Sequence, residues 1–228
     1  MSWYRLVGTS HVATQSAKLV KQAFEEFQPN VVAIELDRNR LQALLEERAT
    51  KGKRKRSSFF ALSRVVGVKA ALFALIAGML QRKLATKMDL VPGAEMLVGH
   101  DEARRRRLPL LLADQDLRIT LHRLNNAMGW PEFKQFLKDF WCSIFKRETV
   151  QFDLRDVPDD KVVEQLLTMV RQRYPRPYKV LVSERNAHMA RVLLAHHRVA
   201  PDDKILVVIG AGHGAGLRAL LETATQTL

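Results

Sequence analysis

An apolar run that ends in a glycine-rich turn near the C-terminus constrains the fold of this chain most strongly. Residues 207–216 read Val-Val-Ile-Gly-Ala-Gly-His-Gly-Ala-Gly, and a helical pattern follows from about Leu217. β-Branched residues followed by glycines predict a buried strand, a tight turn and then a helix. The start of the chain repeats this order, because residues 4–7 lead into Gly-Thr-Ser-His at 8–11 and an amphipathic segment. Each end of the chain therefore predicts a strand, a Gly-x-x-His turn and a helix.

The two turns carry histidines to a place where ligands usually bind. Side chains that follow the carboxyl ends of parallel strands collect at one edge of an α/β sheet. We therefore expect His11 and His213 to meet at that edge. Because either histidine alone is typical of a structural position, the prediction depends on the repeated spacing.

Carboxylates stand at the ends of two further predicted strands. Glu35 interrupts the apolar run 31–36, and Asp114 follows a second apolar run. A buried carboxylate is costly unless it is paired, hydrogen-bonded or bound to metal. For Glu35 the structural alternative is an ion pair with Arg38 or Arg40.

These elements predict an α/β fold, in which a mostly helical chain surrounds a small, mainly parallel sheet and the two Gly-x-x-His turns meet at one edge. The predicted strands are residues 4–7, 31–36, 108–113 and 204–209. Residues 1–228 are expected to form a single domain with a helical insertion at about 51–92, in which residues 59–88 have helical character. Residues 70–80 are uncharged, but a membrane span needs about 20 apolar residues. A buried or interfacial helix is therefore predicted there.

Positive charge is concentrated in two clusters. The 228-residue chain has a formal net charge of +13, with basic residues crowded between 48 and 56 and four consecutive arginines at 104–107. Such clusters attract nucleic acid or anionic lipid, and a solvated basic face is the simpler interpretation. The single Cys142 excludes an internal disulfide framework and a multi-cysteine zinc site. The first residues lack the pattern of a secretory signal, so a location in the cytoplasm or at the cytoplasmic face of a membrane is expected.

Several common catalytic motifs are missing from the sequence. The last turn satisfies the pattern G-x-G-x-x-G/A, but dinucleotide binding also needs a following strand and an acidic residue about 20 positions on, and the sequence ends at Leu228. No His-Glu-x-x-His helix or Walker loop occurs. Residues 8–12 lack the second glycine of a nucleophile elbow, which argues against a serine hydrolase.

The remaining candidates form a distributed set at strand ends, namely His11, Glu35, Asp114 and His213. Imidazole and carboxylate ligands together suit zinc, manganese, cobalt or iron, and three protein ligands leave a position for water. A metal-bound water is a nucleophile near neutral pH, and a carboxylate such as Glu35 or Glu184 could accept its proton. The set therefore predicts a divalent metal site with hydrolytic chemistry.

Six stretches, in order along the chain, resemble the TraB/PrgY family. They are Leu-Val-Gly-Thr-Ser-His at 6–11; Val-Ala-Ile-Glu-Leu-Asp at 32–37 with Arg40; Pro-Gly-Ala-Glu-Met at 92–96; Leu-Ala-Asp at 112–114 with Ile-Thr-Leu at 119–121; Glu-Arg-Asn at 184–186 with Met189 and Ala190; and Gly-Ala-Gly-His at 210–213. The family is related to the Tiki proteins and, more remotely, to the erythromycin esterase and ChaN-like groups. The resemblance implies an α/β core that unites the two Gly-x-x-His motifs, and a metal-dependent peptidase activity.

The resemblance also implies roles for individual residues. It makes His11, Glu35 and His213 metal or catalytic positions, with Arg40, Glu184 and Arg185 as supporting polar groups. Without it, Glu184 and Arg185 are typical of residues on a helix that form an ordinary surface or interhelical ion pair. Gln115 departs from the family pattern, because many members have arginine there. Many members continue into C-terminal membrane spans, so the resemblance leaves two alternatives: a full-length protein that carries such segments, or a naturally short version.

Two functions of different classes are predicted. The first is a metal-dependent hydrolase that acts on peptides. The alternative is a non-enzymatic binding module at an anionic membrane or nucleic acid, through the basic clusters and the apolar helix around Leu72. Nucleic acid is less favoured, because the aromatic residues of 130–145 repeat at a spacing typical of a packed helix rather than a base-stacking strand. Haem binding through a histidine, implied by the ChaN-like kinship, and a homo-oligomer stay open.

Overall fold

A four-stranded parallel sheet organises the part of the chain that the computed structural model describes, which is residues 2–9, 13–50, 59–88, 94–145 and 160–226. Its strands are β1 (Tyr4–Thr9), β2 (Val31–Ile34), β3 (Leu110–Leu112) and β4 (Ile205–Gly210). They lie in the order β1-β4-β2-β3, and every neighbouring pair is parallel. The two ends of the chain therefore supply adjacent strands, and the predicted small parallel sheet is confirmed.

Helices connect and cover the strands. They are α1 (Ala13–Phe27), α2 (Arg38–Ala49), α3 (Phe59–Val66), α4 (Val68–Met88), α5 (Ala94–Arg106), α6 (Leu117–Ala127), α7 (Trp130–Phe145), α8 (Asp160–Arg173), α9 (Pro175–Tyr178), α10 (Glu184–Val199) and α11 (Gly214–Thr225). A π-helical turn at Lys179–Ser183 precedes α10, and a 3₁₀ turn at Ala211–His213 precedes α11. The predicted α/β fold with a mostly helical chain is confirmed.

The sheet is buried on both faces, because its central strands carry apolar residues at every position. One face joins α1 and α5 in a cluster that includes Val20, Phe24, Val32, Ile34, Met96, Ala103, Leu206 and Val208. The other face joins α10 and α11 in a cluster that includes Val31, Ala33, Met189, Leu193, Ile205, Val207, Ile209, Leu217 and Leu221. This continuous apolarity is typical of parallel strands that helices cover on both sides.

The strand ends differ from the predicted ones where they position polar side chains. β2 ends at Ile34, so that Glu35 leaves the sheet instead of lying inside the predicted strand. β3 is shorter than the predicted 108–113, and Pro109, which has no N–H to donate, precedes it. β1 is longer than predicted, β4 is shifted by one residue toward the C-terminus, and the two strands end opposite each other at Thr9 and Gly210.

The predicted helical insertion is divided into two helices in its described part. Gly67 separates α3 from α4 with a φ of 89°, and a Cβ there would lie 2.3 Å from the Asn125 side chain. Val66, Ala70 and Ala71 are buried against Leu121 of α6. Residues 51–58 and 89–93 lie outside the described residues. Across the described ranges, no helix has the length and apolarity to cross a membrane.

The segment 175–199, before the last strand, consists of three consecutive helical elements. α9 begins at Pro175, a residue that suits a first helical turn because it has no N–H to leave unpaired. The chain then widens into the π-helical turn and continues as α10 from Glu184. π-Helical turns inside helices are frequent near functional sites. Here the turn leads directly into the first residues of α10, which include Arg185.

Candidate functional site

Three of the predicted site residues converge at the carboxyl edge of the sheet. Glu35 follows β2, Asp114 follows β3 by two positions, and His213 ends the 3₁₀ turn after β4. All three are buried. His11 lies outside the described residues, two positions beyond Thr9 at the end of β1.

A buried arginine from α10 joins these three side chains. The Arg185 Nε donates to Asp114 Oδ1 at 2.9 Å, and its Nη2 donates to Asp114 Oδ2 at 2.6 Å and also to Glu35 Oε1. Its Nη1 lies 3.0 Å from His213 Nε2 and donates to the Leu181 carbonyl oxygen at 3.3 Å. Only 16% of this side chain is exposed, so the expectation of an ordinary helix-surface pair is wrong for Arg185.

The charges of Arg185 and Asp114 stabilise each other in a buried site, where burial alone would disfavour the ionised form of each group. Burial alone would raise the pKa of Asp114, but hydrogen bonds and charge from Arg185, together with the charge of Arg40, lower it overall. Burial alone would lower the pKa of Arg185, but the hydrogen bonds and charges of Asp114 and Glu35 raise it overall. Opposite charges favour the ionised forms of both groups, so the pair is ionised at neutral pH.

Glu35 is held by two groups from two different elements, β4 and α10. Its Oε2 accepts a hydrogen bond from the Gly210 N–H at 2.7 Å, while Oε1 contacts Arg185 and lies 3.3 Å from His213 Nε2. A Cβ on Gly210 would lie 3.3 Å from that same Oε2, so a glycine there lets the backbone approach closely. The alternative of an ion pair between Glu35 and Arg38 or Arg40 is wrong. The arginine that contacts this carboxylate is Arg185, and Arg40 pairs with Asp114 instead.

His213 is a neutral imidazole with a defined tautomer. Because Arg185 has only donors, His213 Nε2 accepts, and Nδ1 carries the proton that it donates to Asn186 Oδ1 at 2.6 Å. Burial lowers the pKa of His213. The negative charge of Glu35 raises this pKa and the positive charge of Arg185 lowers it, so the pKa is lowered overall. The imidazole therefore points an unprotonated nitrogen toward Glu35.

Asn186 and Gly216 belong to the site although no role was predicted for either. A Cβ on Gly216 would lie 2.4 Å from Asn186 Nδ2, so only glycine lets Asn186 reach His213 in this position. Asn186 is buried and adjoins Arg185 on α10. The sequence signal was the stretch Glu-Arg-Asn at 184–186 together with the second glycine after His213. Only the packing of α10 against α11 brings Asn186 and Gly216 into contact.

The two other predicted polar residues are placed differently from each other. Arg40 lies in the first turn of α2, where the Asp37 carboxylate accepts from its backbone N–H at 3.0 Å, and its Nη1 contacts Asp114 Oδ2 at 2.7 Å. It therefore joins the cluster from the side of β3. Glu184 instead pairs with Arg123 at 3.0 Å, which agrees with the alternative of an interhelical pair.

The donor atoms fit two ligands of a divalent metal. Glu35 Oε1 and His213 Nε2 lie 3.3 Å apart, and bonds of about 2.1 Å place neighbouring ligands of one ion about 3.0–3.4 Å apart. Asp114 is less available, because its oxygens accept from Arg185, from Arg40 and from the Gln115 N–H. Within the described residues, no group of three or more histidine, cysteine, aspartate or glutamate side chains could hold a metal ion.

Comparison with known proteins agrees with the predicted resemblance. The family model described as TraB/PrgY/gumN matches residues 4–226. An uncharacterised protein of Methanocaldococcus jannaschii is 30% identical over 93% of this chain and 51% of its own length. TraB domain-containing proteins of Mus musculus and Homo sapiens are 24% and 22% identical, over 93% of this chain and 61% of each relative. The chain thus spans about half to three fifths of the relatives' length. Because the family model matches nearly the whole chain, from the first residue of β1 to the end of α11, the chain belongs to the TraB/PrgY/gumN family.

Proposed function

We propose that this chain is a metal-dependent hydrolase of peptides whose centre is the cluster of Glu35, Asp114, Arg185 and His213. The observation that carries the proposal is the pair formed by Glu35 Oε1 and His213 Nε2, which are buried, 3.3 Å apart and at the carboxyl edge of a parallel sheet. Ligands of α/β proteins usually bind at such an edge. Zinc, manganese, cobalt and iron all accept this combination of imidazole and carboxylate.

Each side chain has a distinct part in the proposed chemistry. Glu35 and His213 would hold the metal, with the predicted ligand His11 as the third, and a bound metal would supply the chemistry of lowering the pKa of a water molecule. Asn186 keeps the proton of His213 on Nδ1, so that Nε2 keeps the lone pair with which it would bind the metal. The Arg185 guanidinium offers N–H donors to the negative charge that develops on a peptide carbonyl oxygen.

Metal analysis and peptide cleavage together test the proposal. Purified protein is stripped with chelator, reloaded with zinc, manganese, cobalt or iron salts, and compared with the Glu35→Gln/His213→Ala and His11→Ala/His213→Ala double variants. We expect the unaltered protein to retain metal that both variants lose. Cleavage of a mixed peptide library, read by mass spectrometry, should fall at least about 100-fold in either variant.

The Val199→Ala variant is the control for the metal analysis, because Val199 is 87% exposed at the end of α10. Its metal content and cleavage rate should match those of the unaltered protein. If the unaltered protein holds no more metal than the double variants, the proposed function is wrong.

A second candidate function is binding to an anionic membrane surface, which an exposed apolar stripe on α4 favours. Val68, Leu75 and Met79 are 55%, 42% and 45% exposed. Their spacing of seven and four residues places them on one face of the helix. A helix with an apolar face can lie in the interfacial layer, and the net charge of +13 would attract anionic lipid. The predicted cytoplasmic location is compatible with this surface.

Vesicle binding tests the second candidate. The chain should sediment with vesicles that contain phosphatidylglycerol and not with pure phosphatidylcholine, and the binding should weaken as salt is added. Leu75→Asp should abolish it, whereas Leu220→Asp on α11, which replaces a leucine that is 40% exposed, should not. Equal loss in both variants, or binding that ignores lipid charge, would exclude the interfacial face; the same salt titration with RNA would detect nucleic-acid binding.

A further inference from the structure

We propose that Arg185 is a built-in competitor of the metal, whose guanidinium occupies both donor atoms and has to withdraw from them before a divalent ion can bind. This inference rests on the proposed function, because it concerns the same two ligands. It also differs from the role that the family resemblance implies for Arg185, which is only that of a supporting polar group.

The contacts of Arg185 are those that a metal would need. Nη1 lies 3.0 Å from His213 Nε2, and Nη2 donates to Glu35 Oε1. The lone pair of an imidazole nitrogen cannot accept an N–H and bind a metal at once. The same guanidinium therefore closes the imidazole ligand and covers the carboxylate oxygen that faces it.

Charge gives a second and independent reason for competition. The described cluster holds two carboxylates, Glu35 and Asp114, and two guanidinium groups, Arg40 and Arg185, while His213 is neutral. These formal charges cancel. A divalent ion added beside Arg185 would leave two uncompensated positive charges among side chains that are mostly buried, and burial without a counter-charge is costly.

Asp114 gives the guanidinium a place to remain after it leaves the ligands. Its two oxygens accept from Arg185 Nε at 2.9 Å and from Nη2 at 2.6 Å, and Nη2 is also the atom that donates to Glu35. Because the guanidinium is planar and rigid, it can turn away from Glu35 and His213 only if the Nη2 contact breaks, and the Nε contact with Asp114 then keeps its charge paired. Asp114 is also held by Arg40 and by the Gln115 N–H. The carboxylate that is least available as a metal ligand is therefore an anchor for the displaced arginine.

Metal affinity measured on Arg185 variants tests this competition without any assay of activity. Equilibrium dialysis with Zn²⁺ and with Mn²⁺ is carried out on the unaltered chain, on Arg185→Gln and on Arg185→Lys. We expect Arg185→Gln to bind at least about tenfold more tightly, because loss of a charge-assisted hydrogen bond to a ligand is worth about that factor. Arg185→Lys should lie between the two, since one ammonium cannot span both donors.

Arg191→Gln is the matched control, because it makes the same change of charge on the same helix at an exposed position. Its affinity should stay within about twofold of the unaltered chain, as expected for a screened surface charge. Circular dichroism establishes that each variant is folded. If Arg185→Gln does not fold, Arg185→Lys decides the matter: a gain in metal affinity over the unaltered chain that Arg191→Gln lacks supports the competition, and the absence of a gain overturns it.

The outcomes separate this inference from the function on which it rests. If the unaltered chain binds metal as tightly as the Arg185 variants or more tightly, the proposed competition is wrong, but the proposed metal site still stands. If neither the unaltered chain nor an Arg185 variant binds more metal than Glu35→Gln/His213→Ala, the metal site itself is wrong and the competition with it. A tenfold gain in Arg185→Gln that Arg191→Gln lacks establishes the competition.

Discussion

At the scale of single residues, the site depends on one arginine that satisfies three acidic or basic partners. An isolated carboxylate inside the protein would take up a proton, but Asp114 keeps its charge because two guanidinium groups and a backbone N–H face it. A buried pair of this kind is costly to break from one side. The energetic role of Asp114 is therefore separable from the catalytic role proposed for Glu35 and His213.

Asp114→Asn is expected to lower the free energy of unfolding by about 3 kcal/mol at neutral pH, because it leaves Arg185 buried without a full counter-charge. The pKa of Asp114 is lower in the folded chain than in the unfolded one. Its contribution is therefore complete above the unfolded pKa of about 4 and is lost as the pH falls through the folded pKa. Urea unfolding at a series of pH values should show the difference between the two proteins shrinking below about pH 4.

Asp101→Asn is the control for this prediction, because Asp101 pairs with Arg48 at the surface, where 48% of its side chain is exposed. Exposed pairs contribute about 1 kcal/mol or less, so this variant should change little at neutral pH. A gap between Asp114→Asn and the unaltered protein that stays constant down to acid pH would show that the charge of Asp114 does not stabilise the fold.

Asn186→Leu is expected to release the tautomer of His213. Without the Oδ1 acceptor, the Nδ1–H is left buried and unpaired, which costs about 1–3 kcal/mol of stability. Nitrogen-15 NMR of the imidazole should then show a mixture of tautomers, and metal affinity should fall about 10- to 100-fold. Asn186→Asp keeps an acceptor and should retain the Nδ1–H form. A single Nδ1–H tautomer in Asn186→Leu would show that Arg185 alone sets it.

At the scale of secondary structure, the carboxyl ends of adjacent strands bring the site together, and α10 closes it. β2, β3 and β4 deliver Glu35, Asp114 and the turn to His213 at one edge. The π-helical turn at Lys179–Ser183 directly precedes α10, whose second residue, Arg185, contacts these side chains. Close contact between α10 and α11 depends on a glycine, because Asn186 lies where a Cβ of Gly216 would be.

Gly216→Ala and Gly214→Ala are expected to have opposite effects on stability, although both lie in the first turn of α11. Alanine has the higher helix propensity, and a Cβ on Gly214 would meet nothing within 4 Å, so this change should be neutral or stabilising by up to about 1 kcal/mol. At Gly216 the Cβ would displace Asn186, which is buried and bonded to His213, at a cost of about 1–3 kcal/mol. Thermal unfolding compares the two, and equal stability would contradict the proposed close packing.

At the scale of the whole molecule, β4 is the centre of the described core. It pairs with β1 on one side and with β2 on the other, and its residues Ile205–Ile209 are fully buried. The insertion helices have their own small cluster against α6, with several exposed apolar residues around it. Local opening around β4 would therefore expose more buried apolar surface than local opening of α3 and α4.

Hydrogen exchange is expected to follow this difference. The backbone amides of β4 should exchange slowest, because their exposure requires both faces of the core to open, and each buried aliphatic side chain contributes about 1.5–3 kcal/mol. Amides of α3 and α4 should exchange earlier. Mass spectrometry of peptides from the two regions, measured over time, would contradict the proposed centre if α4 were the better protected.

The sequence by itself determined the family, the α/β class, the small parallel sheet and the strand-end positions of Glu35, Asp114 and His213. These features are local, because β-branched runs, glycine turns and short motifs specify a strand together with the few residues after it. Helix caps such as Asp37 and Asp116 were also predictable, since a cap acts on N–H groups two or three positions away.

Only the tertiary structure decided which charges meet. The sequence offered Arg38 and Arg40 as partners for Glu35 because they are close in the chain, whereas the fold selects Arg185, which is 150 positions away. The fold also brings Gly216 of α11 against Asn186 of α10, so that Asn186 can hydrogen-bond His213. Ion-pair partners depend on distance in space and on burial, and neither quantity can be read from a single chain of residues without its fold.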